Sequence, residues 1–241
     1  MGENWDDIAD WWVDAVREDP GQSDDTLAIL SELLSDSNHS REGDRSRSLT
    51  IDLGCGEGQS MRLIDGSVIG TDYSMDLLRR AASAGPVVLG RMPDLGWVRP
   101  GVFDRAVSVG LLDVIDDHVS FFSSVALAVR PGGQLLVVIN HPVATAPESE
   151  PLVDPNGEIL WRWGNYLTAG SWPHEAGERT VDLVHRPVGE LLTAAATAGW
   201  NLDQMIERGP SAASIERFHE YHGQAHIPSL AGFCWTRGPS R

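Results

Sequence analysis

The stretch Leu49 to Gln59, Leu-Thr-Ile-Asp-Leu-Gly-Cys-Gly-Glu-Gly-Gln, constrains this chain more than any other. Leu49 to Leu53 reads as a buried strand. It runs directly into Gly54-x-Gly56-x-Gly58. Glycines so spaced let the backbone turn tightly and let a ligand approach main chain that a Cβ would shield. The stretch Gly58 to Ile64 predicts a helix start, whose exposed amides favour a carboxylate or phosphate. Strand, glycine turn and helix form the opening unit of a layered α/β domain with a nucleotide-type ligand over the turn.

The alternation continues. Ser67 to Thr71, Pro86 to Leu89, Phe103 to Val109 and Gln134 to Asn140 read as strands, and Met75 to Ala84 and Val119 to Val129 as helices. Pro131-Gly132-Gly133 ends the last helix and feeds the strand after it. Strands separated by helices predict a parallel sheet covered on both faces. Upstream, Ile8, Trp11, Trp12, Ala15 and Val16, then Leu27, Leu30, Leu33 and Leu34, recur at helical spacing and predict two helices broken around Pro20-Gly21. Ser35 to Ser48 holds no apolar residue and reads as a linker. From His141 to His185 periodicity dissolves into Pro, Gly and aromatic residues. A helix (Val188 to Ala198), a strand near Trp200 to Ile206 and a last apolar run, Leu230 to Thr236, follow.

Composition narrows the function classes. A length of 241 residues suits one sizeable domain. The net charge of −17 repels a phosphate backbone, so no nucleic-acid partner is expected. All 18 basic side chains are arginine, for the chain contains no lysine. The acidic start lacks the basic and apolar regions of a signal peptide, and no apolar run is long enough to span a bilayer, so the expectation is a cytoplasmic protein with no membrane partner. Cys55 and Cys234 make no disulfide framework, and no metal motif stands out.

A glycine turn alone is shared with dinucleotide enzymes. Asp72, in Gly70-Thr71-Asp72-Tyr73-Ser74, sharpens the reading: a carboxylate at the tip of the second strand accepts both ribose hydroxyls, although Asp72 or Ser74 also suits a plain helix cap. With Phe103-Asp104-Arg105-Ala106-Val107-Ser108 and Leu127-Ala128-Val129-Arg130-Pro131-Gly132-Gly133-Gln134-Leu135-Leu136, the order and spacing of these elements resemble the class I S-adenosylmethionine-dependent methyltransferases, in the small-molecule branch called type 11. The resemblance runs from Leu49 to Asn140.

It implies a Rossmann-like α/β fold: a seven-stranded, mainly parallel sheet flanked by helices, with Leu230 to Thr236 antiparallel. Residues 1–34 become a helical cap, 35–48 a linker, 49–140 the cofactor-binding core, 141–187 an acceptor-site lid loop, and 188–241 the rest of the sheet. S-adenosylmethionine is the implied cofactor. Gly54 and Gly56, with Cys55 between them, would lie against its methionine part, Asp52 would engage its amino group, and Asp72, with Tyr73 beside it, would hold the ribose. The acid that such proteins place near adenine is replaced by Arg91, which leaves Asp94 or the backbone at Met92 for that contact.

Methyl transfer from a sulfonium is an in-line displacement that needs mainly positioning. It needs a base only where the acceptor must lose a proton. His141, at the carboxyl edge of the sheet, suits that role or a pocket-shaping one. The 143–185 segment reads as the acceptor cover, with Trp161, Trp163, Tyr166 and His185 as candidate substrate contacts, though any one tryptophan also suits core capping. Trp11 and Trp12, with Trp5, are expected at the same mouth, and such rings suit an aromatic acceptor or a cationic amine. The reading is methyl transfer to an oxygen or nitrogen of a small molecule by a monomer or homodimer, in specialised metabolism. A non-catalytic partner subunit and a nicotinamide-dependent oxidoreductase are the alternatives, the latter without a Tyr-x-x-x-Lys pair.

Overall fold

A computed structural model describes residues 5–39, 48–176 and 178–239. A 3-10 turn, Trp5–Ile8, leads into α1 (Ala9–Glu18). After Pro20 a π-helical turn, Gly21–Asp25, runs into α2 (Thr26–His39). The helix continues past Leu34 into the expected linker, and the remainder of that linker, 40–47, lies outside the described residues.

Next come β1 (Leu49–Leu53), β2 (Ser67–Asp72), α3 (Met75–Ala81), β3 (Val87–Leu89), β4 (Phe103–Val109), α4 (His118–Ala128) and β5 (Val129–Asn140). Between β1 and β2 the chain makes only a 3-10 turn, Ser60–Leu63, where a helix was expected; Asp65-Gly66 halts it, with Gly66 at φ +93°.

A four-residue helix, α5 (Pro142–Thr145), opens the segment whose sequence shows no period. That segment is not an irregular loop. It folds into two antiparallel hairpins, β6 (Glu150–Val153) with β7 (Ile159–Arg162), and β8 (Gly170–Ala176) with β9 (Arg179–His185). The chain closes with α6 (Val188–Thr197), β10 (Trp200–Arg208), α7 (Ala212–Arg217) and β11 (Leu230–Arg237).

The seven-stranded sheet has the order β10-β11-β5-β4-β1-β2-β3. The pairs among β3, β2, β1, β4 and β5 are parallel, and β11 runs antiparallel between β5 and β10. The strand order reverses between β1 and β4, and in open sheets of this kind the crevice for a ligand lies there, beyond the carboxyl ends of the strands.

Alternation along β5 fills both faces. Leu135, Val137 and Ile139 join Phe121, Phe122 and Val125 of α4 and Leu191 of α6 in one core. Leu136 and Val138 point the other way, toward Ile29, Leu30 and Leu33 of α2. The helix sits so close to the sheet that a Cβ on Gly232 would stand 2.4 Å from Ile29. Cys55 and Cys234 are buried thiols that form no disulfide. Among the described residues no helix is long and apolar enough to cross a membrane.

Candidate active site

The turn after β1 is shaped by its glycines. Gly54 and Gly56 have φ of +68° and +53°. A Cβ on Gly54 would fall 2.8 Å from Leu111, whereas one on Gly56 would project into open space at the cavity wall. At the tip of β2, Asp72 accepts from the amides of Gly56 (3.0 Å) and Ser74 (2.9 Å), so its carboxylate locks the turn to the second strand. Burial raises its pKa, against these hydrogen bonds and with the nearby Asp6 charge adding to the rise. Its oxygens keep lone pairs for further donors. Ser74 caps α3, its hydroxyl accepting from Leu77 N at 3.2 Å. The cap reading of this segment thus falls to Ser74.

Two adjoining cavities meet over the turn. The smaller, about 80 Å³, is lined by Cys55, Glu57, Ser60 and Val138, and the larger, about 510 Å³, by Asp72, Tyr73, Arg91, Met92 and Leu111. Both share Gly54, Gly56, Gly110, Asp113 and Asn140. The larger one also reaches Trp5, Trp11 and Trp12 on one side and Glu175, Val181 and Asp182 of the second hairpin on the other.

The remaining expectations divide. Met92 is on the wall, with Arg91 held over the Tyr73 ring at 5.3 Å. Asp94 is not: its carboxylate closes a local turn by accepting from Gly96 N at 2.8 Å. Asp52 is wholly buried beneath the turn and lines neither cavity. Its Oδ2 accepts from Ser60 Oγ at 2.5 Å, its Oδ1 has no hydrogen-bond partner among the described residues, and burial pushes its pKa up to about 7. Ser60 does line the smaller cavity, so Asp52 reaches the site through that hydroxyl.

His141 lies off both cavities, with 3% of its surface exposed. Its Nδ1 accepts from Val143 N at 3.1 Å as the cap of α5, and its Nε2 faces Glu207 Oε1 at 2.9 Å. Burial lowers its pKa although Glu207 opposes this. With both ring nitrogens engaged and no surface on either cavity, the imidazole braces the exit from β5, which favours the structural of its two expected roles. Trp161, Trp163, Tyr166 and His185 likewise lie off the walls. Trp161 stacks on Tyr221 and donates to Ser149, and Trp163 is exposed to solvent. His185 is buried between Thr145 Oγ1 and the Tyr166 carbonyl, and the Tyr166 hydroxyl accepts from Val188 N.

Asp113 is the residue that sequence reasoning missed. Asp113, Asp116 and Asp117 look alike as a polar turn before a helix, and Asp117 does cap α4 by accepting from Ser120 N at 2.9 Å. Asp113 instead turns inward, 6% exposed, after the left-handed Gly110 (φ +69°). Its Oδ2 accepts from Asn140 N and Nδ2, both at 3.1 Å, while Asn140 Oδ1 accepts from Gln22 Nε2 at 3.2 Å. Burial lifts the Asp113 pKa to about 7 against those hydrogen bonds and the Arg186 charge.

Comparison with known proteins fits this geometry. Residues 51–137 match the family described as a methyltransferase domain. A stretch of 93 residues is 33% identical to trans-aconitate 2-methyltransferase of Sinorhizobium medicae (strain WSM419), covering 36% of each chain, so the match spans about a third of that relative. A solved S-adenosylmethionine-dependent methyltransferase from Mesorhizobium loti is 25% identical, with a TM-score of 0.67 over 85% of this chain and 98% of its own. A structure from Listeria monocytogenes assigned to the same class has a TM-score of 0.70 at 18% identity, over 88% of this chain and 100% of its own, and bears on the fold alone.

Sheet order, glycine turn and the carboxylate at the tip of β2 fit the class I S-adenosylmethionine-dependent methyltransferases, and residues 51–137 carry a methyltransferase domain. The cofactor that such a domain calls for fits the residues present: a turn with open space over Gly56, a carboxylate at the tip of β2, and a small, mainly apolar cavity beside Ser60.

Proposed function

We propose that the protein transfers a methyl group from S-adenosylmethionine to an oxygen or nitrogen of a small-molecule acceptor held in the 510 Å³ cavity. The carrying observation is continuity: the chamber that reaches the tryptophans of the N-terminal cap is walled at its base by Gly54, Gly56 and Asp72. The cofactor supplies an electrophilic methyl on a sulfonium. The protein's part is to orient the acceptor lone pair in line with that methyl and to exclude water. The 3-10 turn, α1 and the second hairpin do this by roofing the cavity.

Gly56 and Asp72 would hold the ribose and methionine half, Tyr73, Arg91 and Met92 would surround the base, and Asp52 would act through Ser60. With the cofactor bound, an acceptor lone pair aligned by these walls would take the methyl, and the cofactor would leave as the thioether that retains the electron pair of the broken carbon–sulfur bond. Where the acceptor must lose a proton, Asp113 takes it. It lies on both cavities, Asn140 fixes its orientation, and its pKa near 7 suits a base at neutral pH.

Small molecules are favoured over nucleic acid by the net charge of −17, and the buried cysteines, which form no disulfide, suit a reducing compartment. A tricarboxylate acceptor is not carried over from trans-aconitate 2-methyltransferase, because carboxylates line the acceptor half here. The non-catalytic reading loses support because the cavity is open and not filled by the protein's own side chains.

The test is conversion of S-adenosylmethionine to S-adenosylhomocysteine across a panel of small alcohols, phenols and amines. Acceptor-dependent product supports the reading. Cofactor binding without turnover on any member favours a non-catalytic role.

A further inference from the structure

Within the proposed methyl-transfer site, and resting on that reading, we infer that the acceptor is an amine on an apolar body, bound as its protonated cation and giving that proton to Asp113 before its nitrogen lone pair takes the methyl. Two independent features of the cavity support this class.

The first is an aromatic wall. Trp5 and Trp12 meet edge to face with ring centroids 5.3 Å apart, and Trp11 stands 6.4 Å from Trp12. All three are half-buried and line the cavity. Trp5 and Trp11 rest against the apolar cluster of Ile8, Ala176 and Val181, which fixes their attitude. Indole faces attract cations, by about 0.5 kcal/mol at exposed sites to about 2 kcal/mol when water is excluded.

The second is the charge around that wall. On the acceptor half, Asp113, Asp116 and Asp117 come from the segment after β4, and Glu175 and Asp182 from the second hairpin. The basic groups on the cavity are Arg91, which lies over Tyr73 on the cofactor side, and His174. Arg186 lies behind this wall, bonded to the Leu112, Ile115 and Asp116 carbonyls, and offsets part of the charge of Asp113, Asp116 and Asp117, but among the described residues no arginine lines the acceptor half itself, so an anionic acceptor would find no guanidinium on its surface. A cation meets aromatic faces on one side and carboxylates on the other, and the −17 net charge raises its concentration at the mouth. Exposed carboxylates act weakly one by one and are screened beyond ~8 Å at physiological salt, so the preference comes from the set.

The experiment uses the protein saturated with S-adenosylhomocysteine and three probes of matched shape: phenethylamine, phenethyl alcohol and hydrocinnamate, titrated calorimetrically near neutral pH. The proposal expects the amine to bind at least ~10-fold tighter than the alcohol, the carboxylate to bind weakest, and the amine affinity to fall with added salt. A triple variant, Asp116→Asn, Glu175→Gln and Asp182→Asn, should lose the preference for amine over alcohol. Hydrocinnamate binding as well as the amine, no measurable binding of the amine, or an unchanged preference in the triple variant each overturns the inference. Failure of S-adenosylhomocysteine itself to bind would instead remove the methyl-transfer reading beneath it.

Discussion

The amide of Gly56 donates to Asp72 Oδ2 at 3.0 Å, so the turn after β1 and the tip of β2 are held in one piece by the carboxylate that faces the cavity. Asp72→Ala therefore removes a ligand contact and also leaves the Gly56 and Ser74 amides without their acceptor. Affinity for S-adenosylhomocysteine should fall by at least ~100-fold, since hydrogen bonds to charged groups contribute about 1.5–3 kcal/mol each. Calorimetric titration checks this, with circular dichroism to confirm that the variant is folded. Affinity within a fewfold of the parent would take Asp72 out of the cofactor site.

Asp113 gives a pH dependence. Its carboxyl titrates near 7, and a base is competent only when ionised. The rate constant kcat/KM for an acceptor that must lose a proton should climb with pH, bend near 7 and level off above it. Asp113→Asn keeps the side-chain shape and should lower the plateau by roughly 10²–10⁴-fold and abolish the bend. An unaltered profile would assign the residue to structure alone.

A different carboxylate ties the N-terminal cap down. Asp6 Oδ1 accepts from Ser74 Oγ at 2.6 Å and from Asp76 N at 3.1 Å, and these bonds hold the Asp6 carboxyl below its usual range. The same 3-10 turn carries Trp5, whose amide donates to the Tyr73 hydroxyl at 3.4 Å. Asp6→Ala should loosen this roof. Steady-state kinetics should show the acceptor KM rising by about 3–10-fold, with a smaller change in kcat, as expected where positioning is lost and the reacting groups remain. A fall confined to kcat would contradict a roofing role.

Asp52 links stability to pH. Its folded pKa, about 7, stands above the ordinary 3.8, so between those values the folded state holds a proton that the unfolded chain has released. That contribution is complete below about pH 4 and is lost as pH rises through 7, to an extent on the order of a few kcal/mol. Thermal melts from pH 4 to 8 should show Tm falling more steeply for the parent than for Asp52→Asn. Parallel curves would show that the buried carboxylate is compensated.

Most of the sheet was legible because its central strands are dense apolar runs; Leu49–Leu53 and Leu230–Arg237 needed no partner information, whereas the edge strand Trp200–Arg208 mixes apolar residues with Asn201, Asp203, Gln204 and Glu207. The glycine turn and Asp72 were legible because left-handed backbone at Gly54 and Gly56 and a carboxylate at a strand end leave local signals in the sequence. The two hairpins were not, for Pro151, Pro173, Trp161 and Trp172 interrupt their alternation. Of their fourteen central positions on β8 and β9, only Ala176, Val181, Val184 and His185 are buried, so hydrophobic period gives little signal. Asp113 depends on Asn140, 27 positions away, and His141 is drawn toward Glu207 by a backbone bond to Ser229 O. Such pairings exist only once β5, β10 and β11 lie side by side.

The most direct test of the account is calorimetric titration of the purified protein with S-adenosylmethionine, S-adenosylhomocysteine and NAD. The account predicts roughly micromolar binding of the first two, near −8 kcal/mol, and none of NAD. No binding of either sulfur compound, or tighter binding of NAD, would contradict it.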